Sequence, residues 1–517
     1  MHRLKSPLST LALTAALSAS LALGGCNKKE INAKGEKIET LAISKTVALQ
    51  ALRLMGLETS GASNLVWASR TGKRGNCIFT DIGPKDNDDK GLTVGTLELK
   101  NVRMDGDIAV FDQISFNNMK AVNKKDIVSL KNFTLSNPSP ALANAFGELF
   151  NGNEDAFEDI EGGISFSAIA FTGFEATGKD GELSLASLKA GETDDGMGMF
   201  SLNGLKMDVR EKKQSVQISL GSIDVKGINV DKYKGILSLA LDKDDDNKNA
   251  AALKKIMASM NPYAPDFKSF ALKDFHVNAD GLRVDLDSIV GKTDRRDGKV
   301  YMEQIMSPLT ITPPMKSKNK DIRKLKESFD TLGYDTLEIT MQQYSVLDAK
   351  TDSMIVKDSY IALKDGFKLS FDYDMVGYKA YLESALENGD KTEINPMAVL
   401  GMMNKLKVNS ARIALKDDSI VDRAFKLAAK EQGSTPAALK RQAITGLQII
   451  SMMAKDNGQQ KLADNLRKSL EIWLDEGGTL VVNMAPAKPV VIGSIAEKSM
   501  QGDFDVNTLG ITITHEK

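Results

Sequence analysis

Histidine and cysteine, which carry much of enzyme and metal chemistry, are nearly missing from this chain: 517 residues include three histidines and two cysteines. His2 falls in the N-terminal leader, His276 alternates within "FALKDFHVN", and His515 lies close to the C-terminus. A zinc site needs several His, Cys or carboxylate ligands at suitable spacing, and neither His276 nor His515 has such neighbours. G-x-S-x-G, H-E-x-x-H, phosphate-loop and dinucleotide fingerprints are absent. A serine triad has only His276 or His515 to draw on, and His276 reads more simply as a plain strand residue. Carboxylate catalysis needs two acids alone, but among 69 Asp and Glu no pair stands out. No cofactor is implied.

A strong charge of either sign is also lacking. Lys and Arg number 67 against those 69 acids. No dense basic stripe or RNA-binding signature appears, which argues against a nucleic-acid partner. Beyond the leader, no apolar run approaches the roughly 18 to 20 residues of a spanning helix. If Cys26 is lipidated, one thiol remains, Cys77 in "RGNCIF", and an internal disulfide is excluded. Stability then rests on packing, and Cys77 reads as a small buried residue, with pairing to another chain as the alternative.

What is present begins with the leader. Arg3 and Lys5 precede an apolar run over 8–23, which ends in Leu23-Gly24-Gly25-Cys26. This resembles the lipobox of bacterial lipoproteins. The resemblance implies cleavage between Gly25 and Cys26 and a diacylglyceryl group on the Cys26 thiol. The plainer alternative is an ordinary secretory signal beside a chance cysteine. Residue 27 is Asn where an Asp would favour inner-membrane retention, so the expected location is the outer membrane, facing the periplasm. The membrane partner is then reached through the lipid anchor.

The pattern divides the chain into a signal peptide (1–25), a polar tether (26–37), an N-terminal helical segment (38–90), a β-rich repeat domain (91–390), a helical segment (391–475) and C-terminal strands (476–517). A frame of apolar, any, apolar, two turn-tolerant residues, apolar, any, apolar recurs through the repeat domain. It occurs as "LELKNVRM" at Leu97, "ISFNNMKA" at Ile114, "VSLKNFTL" at Val128, "IAFTGFEA" at Ile169, "FSLNGLKM" at Phe200, "IDVKGINV" at Ile223 and "FALKDFHV" at Phe270. Period-two alternation is the strand signal. The two-residue step shifts the apolar phase, which a bulge or bend absorbs where Asn or Gly supplies the backbone freedom. A second piece, "LSLASL", "ISLGSI" or "VDLDSI", follows across a polar turn such as Ala279-Asp280-Gly281. The two pieces therefore form arms of one hairpin. Apolar faces at helical spacing mark helices near 139–150, 249–260 and 395–406, and three more over 419–430, 436–455 and 459–474. The expected class is α+β: a long-stranded, curved antiparallel sheet of repeated hairpins with short inserted helices and a C-terminal helical segment.

Two features invite a ligand. "DKDDDNKN" places Asp242, Asp244 and Asp246 at alternating positions, as in a calcium loop. However, Asn247 stands where such a loop needs Gly and Leu253 where it needs Glu, so a solvated loop capping the next helix is the simpler reading. The 22 methionines include Met257, Met260, Met402-Met403 and Met452-Met453. They suit either an adaptable apolar groove or helix faces packed on the sheet.

The phrases "LELKNVRMDGD" and "SIDVKGINVD" resemble the repeated strands of AsmA/TamB-type envelope proteins, over about residues 91–290. That resemblance implies a long curved sheet with an apolar groove and a role in moving phospholipid. The lipobox and the helical C-terminal segment depart from that type. The whole also resembles the uncharacterised periplasmic lipoproteins of Gram-negative bacteria. The expected function is non-enzymatic, either binding a lipid or other hydrophobic ligand or assisting envelope assembly. The alternatives are a ligand-free scaffold for an envelope protein partner and, third, a carboxylate-dependent hydrolase.

Overall fold

The structure is a computed structural model. It describes residues 41–517 apart from 86–89, 124–125, 154, 158–159, 161–164, 180, 194–196, 212–213, 229–262, 264, 266, 389–395, 453–456 and 502–504. Gly25, Cys26, the acids Asp242, Asp244 and Asp246, and the helix expected over 249–260 lie outside the described residues. The class is α+β, built of antiparallel meanders with short helices. The chain forms two compact units, residues 1–255 with 266–272 and residues 256–265 with 273–517.

In the first unit, helix α1 (Lys45–Leu54) starts at Ser44, whose hydroxyl accepts from the Val47 N–H, and the chain leaves it through Met55 and Gly56. Strands β1 (Leu65–Val66), β2 (Ser69–Lys73), β3 (Asn76–Pro84), β4 (Lys90–Lys100), β5 (Arg103–Asp105), β6 (Ile108–Val110), β7 (Gln113–Asn123) and β8 (Asp126–Ser136) follow. Helix α2 (Pro140–Phe150) carries the expected signals, Ser139 as cap and Pro140 in the first turn. Strands β9 (Ala168–Gly178), β10 (Gly181–Glu192), β11 (Gly198–Glu211) and β12 (Gln214–Ile228) complete the unit. Strands β2, β3, β4, β7, β8, β9, β10, β11 and β12 pair antiparallel in that order, β1 joins β3, and β5 with β6 make a separate ribbon.

The segment 38–90, expected to be helical, therefore holds one ten-residue helix and then strands. Its later apolar residues are strand positions, among them Phe79, which is fully buried in the core.

The recurring frame is a strand with a bend inside it. Its second turn-tolerant residue adopts positive φ at Asn101, Asn118, Gly173, Gly204, Gly227 and Asp274, between 53° and 71°; Asn132 is the exception. Residues 173 and 186 face one another unpaired while the register holds on both sides, Phe174 opposite Leu185 and Thr172 opposite Ser187. The bend resets the pleat, so residues three apart share a face. Phe171 with Phe174 and Leu185 with Leu188 are all buried. The two recurring phrases are thus the facing sides of one transverse bend. Next to it, Thr80, Thr96, Asn117, Asn132, Thr172, Ser187, Asn203 and Ser222 are successive cross-strand partners. Asn132 Nδ2 donates to Asn117 Oδ1 (2.7 Å), and Asn117 Nδ2 to Thr96 Oγ1 (2.9 Å). On the other face, the sheet and both helices share one continuous core that includes Leu52, Phe79, Leu99, Ile114, Phe146 and Phe171.

Strand β13 (Ser269–Ala279) holds the division between the units. In the second unit, the turn after β13 is Asp280-Gly281, both at positive φ as a type I′ hairpin demands. Strands β14 (Leu282–Arg296), β15 (Lys299–Thr312), β16 (Leu337–Asp348), β17 (Ser353–Leu363), β18 (Phe367–Val376), β19 (Lys407–Asp417), β20 (Gly478–Met484) and β22 (Ile511–Glu516) pair antiparallel in that order, and the short β21 (Val490–Val491) joins β19. The helices are α3 (Lys320–Leu332), α4 (Tyr378–Asn388), α5 (Pro396–Met403), α6 (Ile420–Gln432), α7 (Pro436–Met452), α8 (Asn457–Glu476) and α9 (Ile492–Gln501). The segment 391–475, expected to be helical, contains β19, a strand held between β18 and β20. Helices α3, α4 and α9 were not anticipated.

Candidate functional site

The two units treat their apolar strand faces differently. In the first, the face is filled by the protein's own side chains from β3 to β10, while Phe200, Leu202 and Leu205 on β11 are half-buried. In the second, a compact buried cluster occupies one end: Val300, Leu347, Met354 and Val356 with Tyr263, flanked by Met302, Phe371, Tyr373, Met375 and Tyr378. Cross-strand partners extend this face over five strands as the row Met306, Met341, Ile361, Leu369 and Leu415. Phe371 is the partner of Ile413. Those row residues and Phe371 are only half-buried, and Ile413, on an inner strand, is 49% exposed.

The reason lies in the alternation of side chains across a strand. Ala414 and its partner Val481 point to the opposite face, where they are 5% and 0% exposed. Helix α8 packs on β20 and β22, its Trp473 donates Nε1–H to the Gly478 carbonyl (3.2 Å), and Ser469 Oγ donates to the Ile513 carbonyl (3.2 Å). On β19, Ala414 is thus buried on one face while Ile413 stands open on the other. The open face is the candidate site. Its methionines, Met306 and Met341, sit on strands. The helical pairs singled out in the sequence behave otherwise: Met403 and Met452 are exposed, while Met257, Met260 and Met453 lie outside the described residues.

The buried end of the face is closed by a polar knot. Asp352, at positive φ, accepts from the backbone N–H groups of Lys379 (2.8 Å) and Ala380 (3.3 Å), capping α4, and from the Tyr263 hydroxyl (3.1 Å). Burial first, and then the Asp352 charge, push the Tyr263 phenol far above its ordinary range. Burial raises Tyr373 and Tyr378 as well, so all three rings are neutral at physiological pH. The Tyr263 and Tyr378 centroids lie 6.3 Å apart. Tyr263 is buried with its hydroxyl on Asp352, so this end of the face is van der Waals surface.

The remaining sequence candidates take local roles. His276 Nδ1 donates to Asp285 Oδ1 (2.8 Å), and Arg283 pairs with the same carboxylate (3.3 Å). Burial raises the Asp285 pKa, but the bonds to His276 and Arg283 outweigh it and leave it lowered. His515 Nε2 donates to the Gly477 carbonyl (2.7 Å) at the start of β20. Among the described residues, no three His, Cys, Asp or Glu are grouped to hold a metal, and no helix is long and apolar enough to cross a membrane.

Cys77 lies in β3 at 6% exposure, and burial pushes its thiol pKa up against the weaker pull of Arg70. Because the thiolate is the reactive form, Cys77 should resist an aromatic disulfide reagent in native protein at pH 8 and react fully in urea. Rapid native labelling would contradict the packing described.

A family model described as "Uncharacterized protein" matches residues 360–516. That stretch holds β18, β19 and β20, and so Leu369, Phe371 and Ile413, together with helices α4 to α9. No curated protein matches the chain.

Proposed function

We propose that this protein is a non-enzymatic, lipid-anchored component of the cell envelope that holds an acyl chain, or a similar hydrophobic molecule, on the open face of β15 to β19. In this reading Cys26 carries the anchor, and the folded chain faces the periplasm from the outer membrane. The observation that carries the proposal is the 49% exposure of Ile413 on an inner strand, beside its half-buried partner Phe371. The row from Met306 to Leu415 crosses five strands, four spacings of about 4.8 Å or about 19 Å in all. That length is comparable with the ~15 Å half-thickness of a bilayer's hydrocarbon core. Each methylene withdrawn from water contributes about 0.8 kcal/mol, so a half-covered chain would be held through many small contacts. Methionine suits such a surface because its flexible thioether adapts to the occupant.

The test is mass spectrometry of lipids extracted from the purified chain carrying Cys26→Ser, which lacks its own acyl group. Near-stoichiometric phospholipid or another envelope lipid is expected. The further substitution Ile413→Lys should remove most of it without changing the melting temperature, because that side chain already meets solvent. Lipid-free protein would overturn the proposal and favour a protein-binding scaffold.

A further inference from the structure

We propose that the loop after β15 and the first turns of α3 form a docking surface for anionic phospholipid bilayers. The sequence "PPMKSKNKDIRKLK" carries six cations from Lys316 to Lys326 against a single acid, Asp321. This is a dense basic patch, which corrects the expectation of none: the chain as a whole is nearly neutral, and the cations straddle a loop and a helix.

Three observations carry the assignment. Lys316, Lys318, Lys320, Arg323 and Lys324 are exposed, and among the described residues Lys316, Lys318, Lys320 and Lys324 engage no acid. Lys326 differs, being paired with Asp330. Second, the loop is held in shape. Arg323 donates to the carbonyls of Ser317 (3.3 Å) and Lys318 (2.9 Å), Asn319 N–H donates to Ser317 Oγ (3.1 Å), and Asn319 caps α3 through the Asp321 N–H (2.9 Å). Third, Met315 is 94% exposed, the most exposed of the large apolar side chains among the described residues, directly beside the lysines and after Pro313-Pro314. A soluble polyanion gives an apolar side chain nothing to enter. A bilayer gives the lysines phosphates and gives Met315 the boundary between headgroups and acyl chains. Charge complementarity and the bare methionine therefore favour a membrane over a nucleic acid or an acidic protein. The inference uses no property of the open apolar face, so either proposal can fail alone. If both hold, the patch brings the end of β15, whose Leu309 continues that face, to a bilayer.

The experiment uses the full chain carrying Cys26→Ser, with vesicles of phosphatidylcholine alone and of equal parts phosphatidylcholine and phosphatidylglycerol. Sedimentation with the anionic vesicles is expected to exceed that with neutral ones and to weaken with salt. Each basic residue near an anionic leaflet strengthens binding about fivefold, so replacing Lys316, Lys318, Lys320 and Lys324 by Gln should weaken it on the order of 100-fold or more. The melting temperature of that variant should be unchanged, since all four are exposed. A polarity-sensitive fluorophore on Met315→Cys reports insertion, with Cys77 buried and silent; its emission should shift to the blue on anionic vesicles only. Equal sedimentation with both vesicles, an unaffected Gln variant or an unmoved fluorophore would overturn the proposal. So would lysine-dependent binding to single-stranded DNA without binding to vesicles, which would assign the patch to soluble polyanions.

Discussion

Phe79→Ala should destabilise the first unit by about 3–5 kcal/mol, the usual loss for a large aromatic removed from a filled core. Phe79 is fully buried in β3, with the Trp67 ring edge-on at 5.2 Å, and its neighbours belong to the continuous core beneath α1 and α2. Ile413→Ala in the second unit should cost about 1 kcal/mol or less, because half of that side chain is already in water. The two tryptophans make the comparison clean. Trp67 lies in the first unit and Trp473 in the second, so urea unfolding followed with Trp67→Phe and Trp473→Phe backgrounds reads each unit separately. Keeping them separate matters because two units need not unfold in one step. A large loss at Ile413 would mean that its face is covered, and the ligand proposal would fall with it.

Gly377→Ala should be the most damaging single-methyl change in the second unit. Gly377 joins β18 to α4 at φ +90°, and a Cβ built there would lie 1.8 Å from the Lys405 carbonyl oxygen. Its N–H donates to the Asp352 carbonyl and its own carbonyl accepts from Tyr381 N–H, each at 2.9 Å. The left-handed backbone alone costs a residue with a side chain about 1–2 kcal/mol. Displacing the Lys405 backbone adds to that, for a total of about 3 kcal/mol or more, within the range that marks strain at a special backbone position. The control is Gly446→Ala in α7, where a Cβ meets nothing within 4 Å. Helix propensity there favours alanine by up to about 1 kcal/mol. Both variants are read from the Trp473 unfolding midpoint. Equal stabilities would contradict the close approach of β18 and the chain before β19.

Strand type, hairpin partners and bend positions were visible in the sequence because each depends on neighbours in the chain. Alternation in "IAFTGFEA" and "LSLASL" set the pleat, and Asp280-Gly281 set its turn. The two-residue step marked the bends at Asn118, Gly173 and Gly204. Even here local information has a limit. The same Lys-Asn pair is left-handed at Asn101 and not at Asn132. Strand β8 runs between Asn118 and Gly173 on its two partners, which already take the left-handed conformation. Strand β19 was lost within a stretch of helices because its ladder comes from β18 and β20, and β20 lies beyond three helices in the chain.

The sequence by itself determined the two-faced strands of this protein, their bends and the two-residue turns that join them, since pleat and turn geometry are settled within a few residues. Tertiary structure alone decided which apolar faces are covered. Nothing local separates Phe171, buried in the first unit, from Phe371, half open in the second, or ranks Val481 above Val482. In the first unit coverage depends on where α1 and α2 return to the sheet, and that is fixed by packing between segments far apart in the chain. The same rule exposes the lysines of the α3 loop: whether a charge is paired depends on what folds next to it.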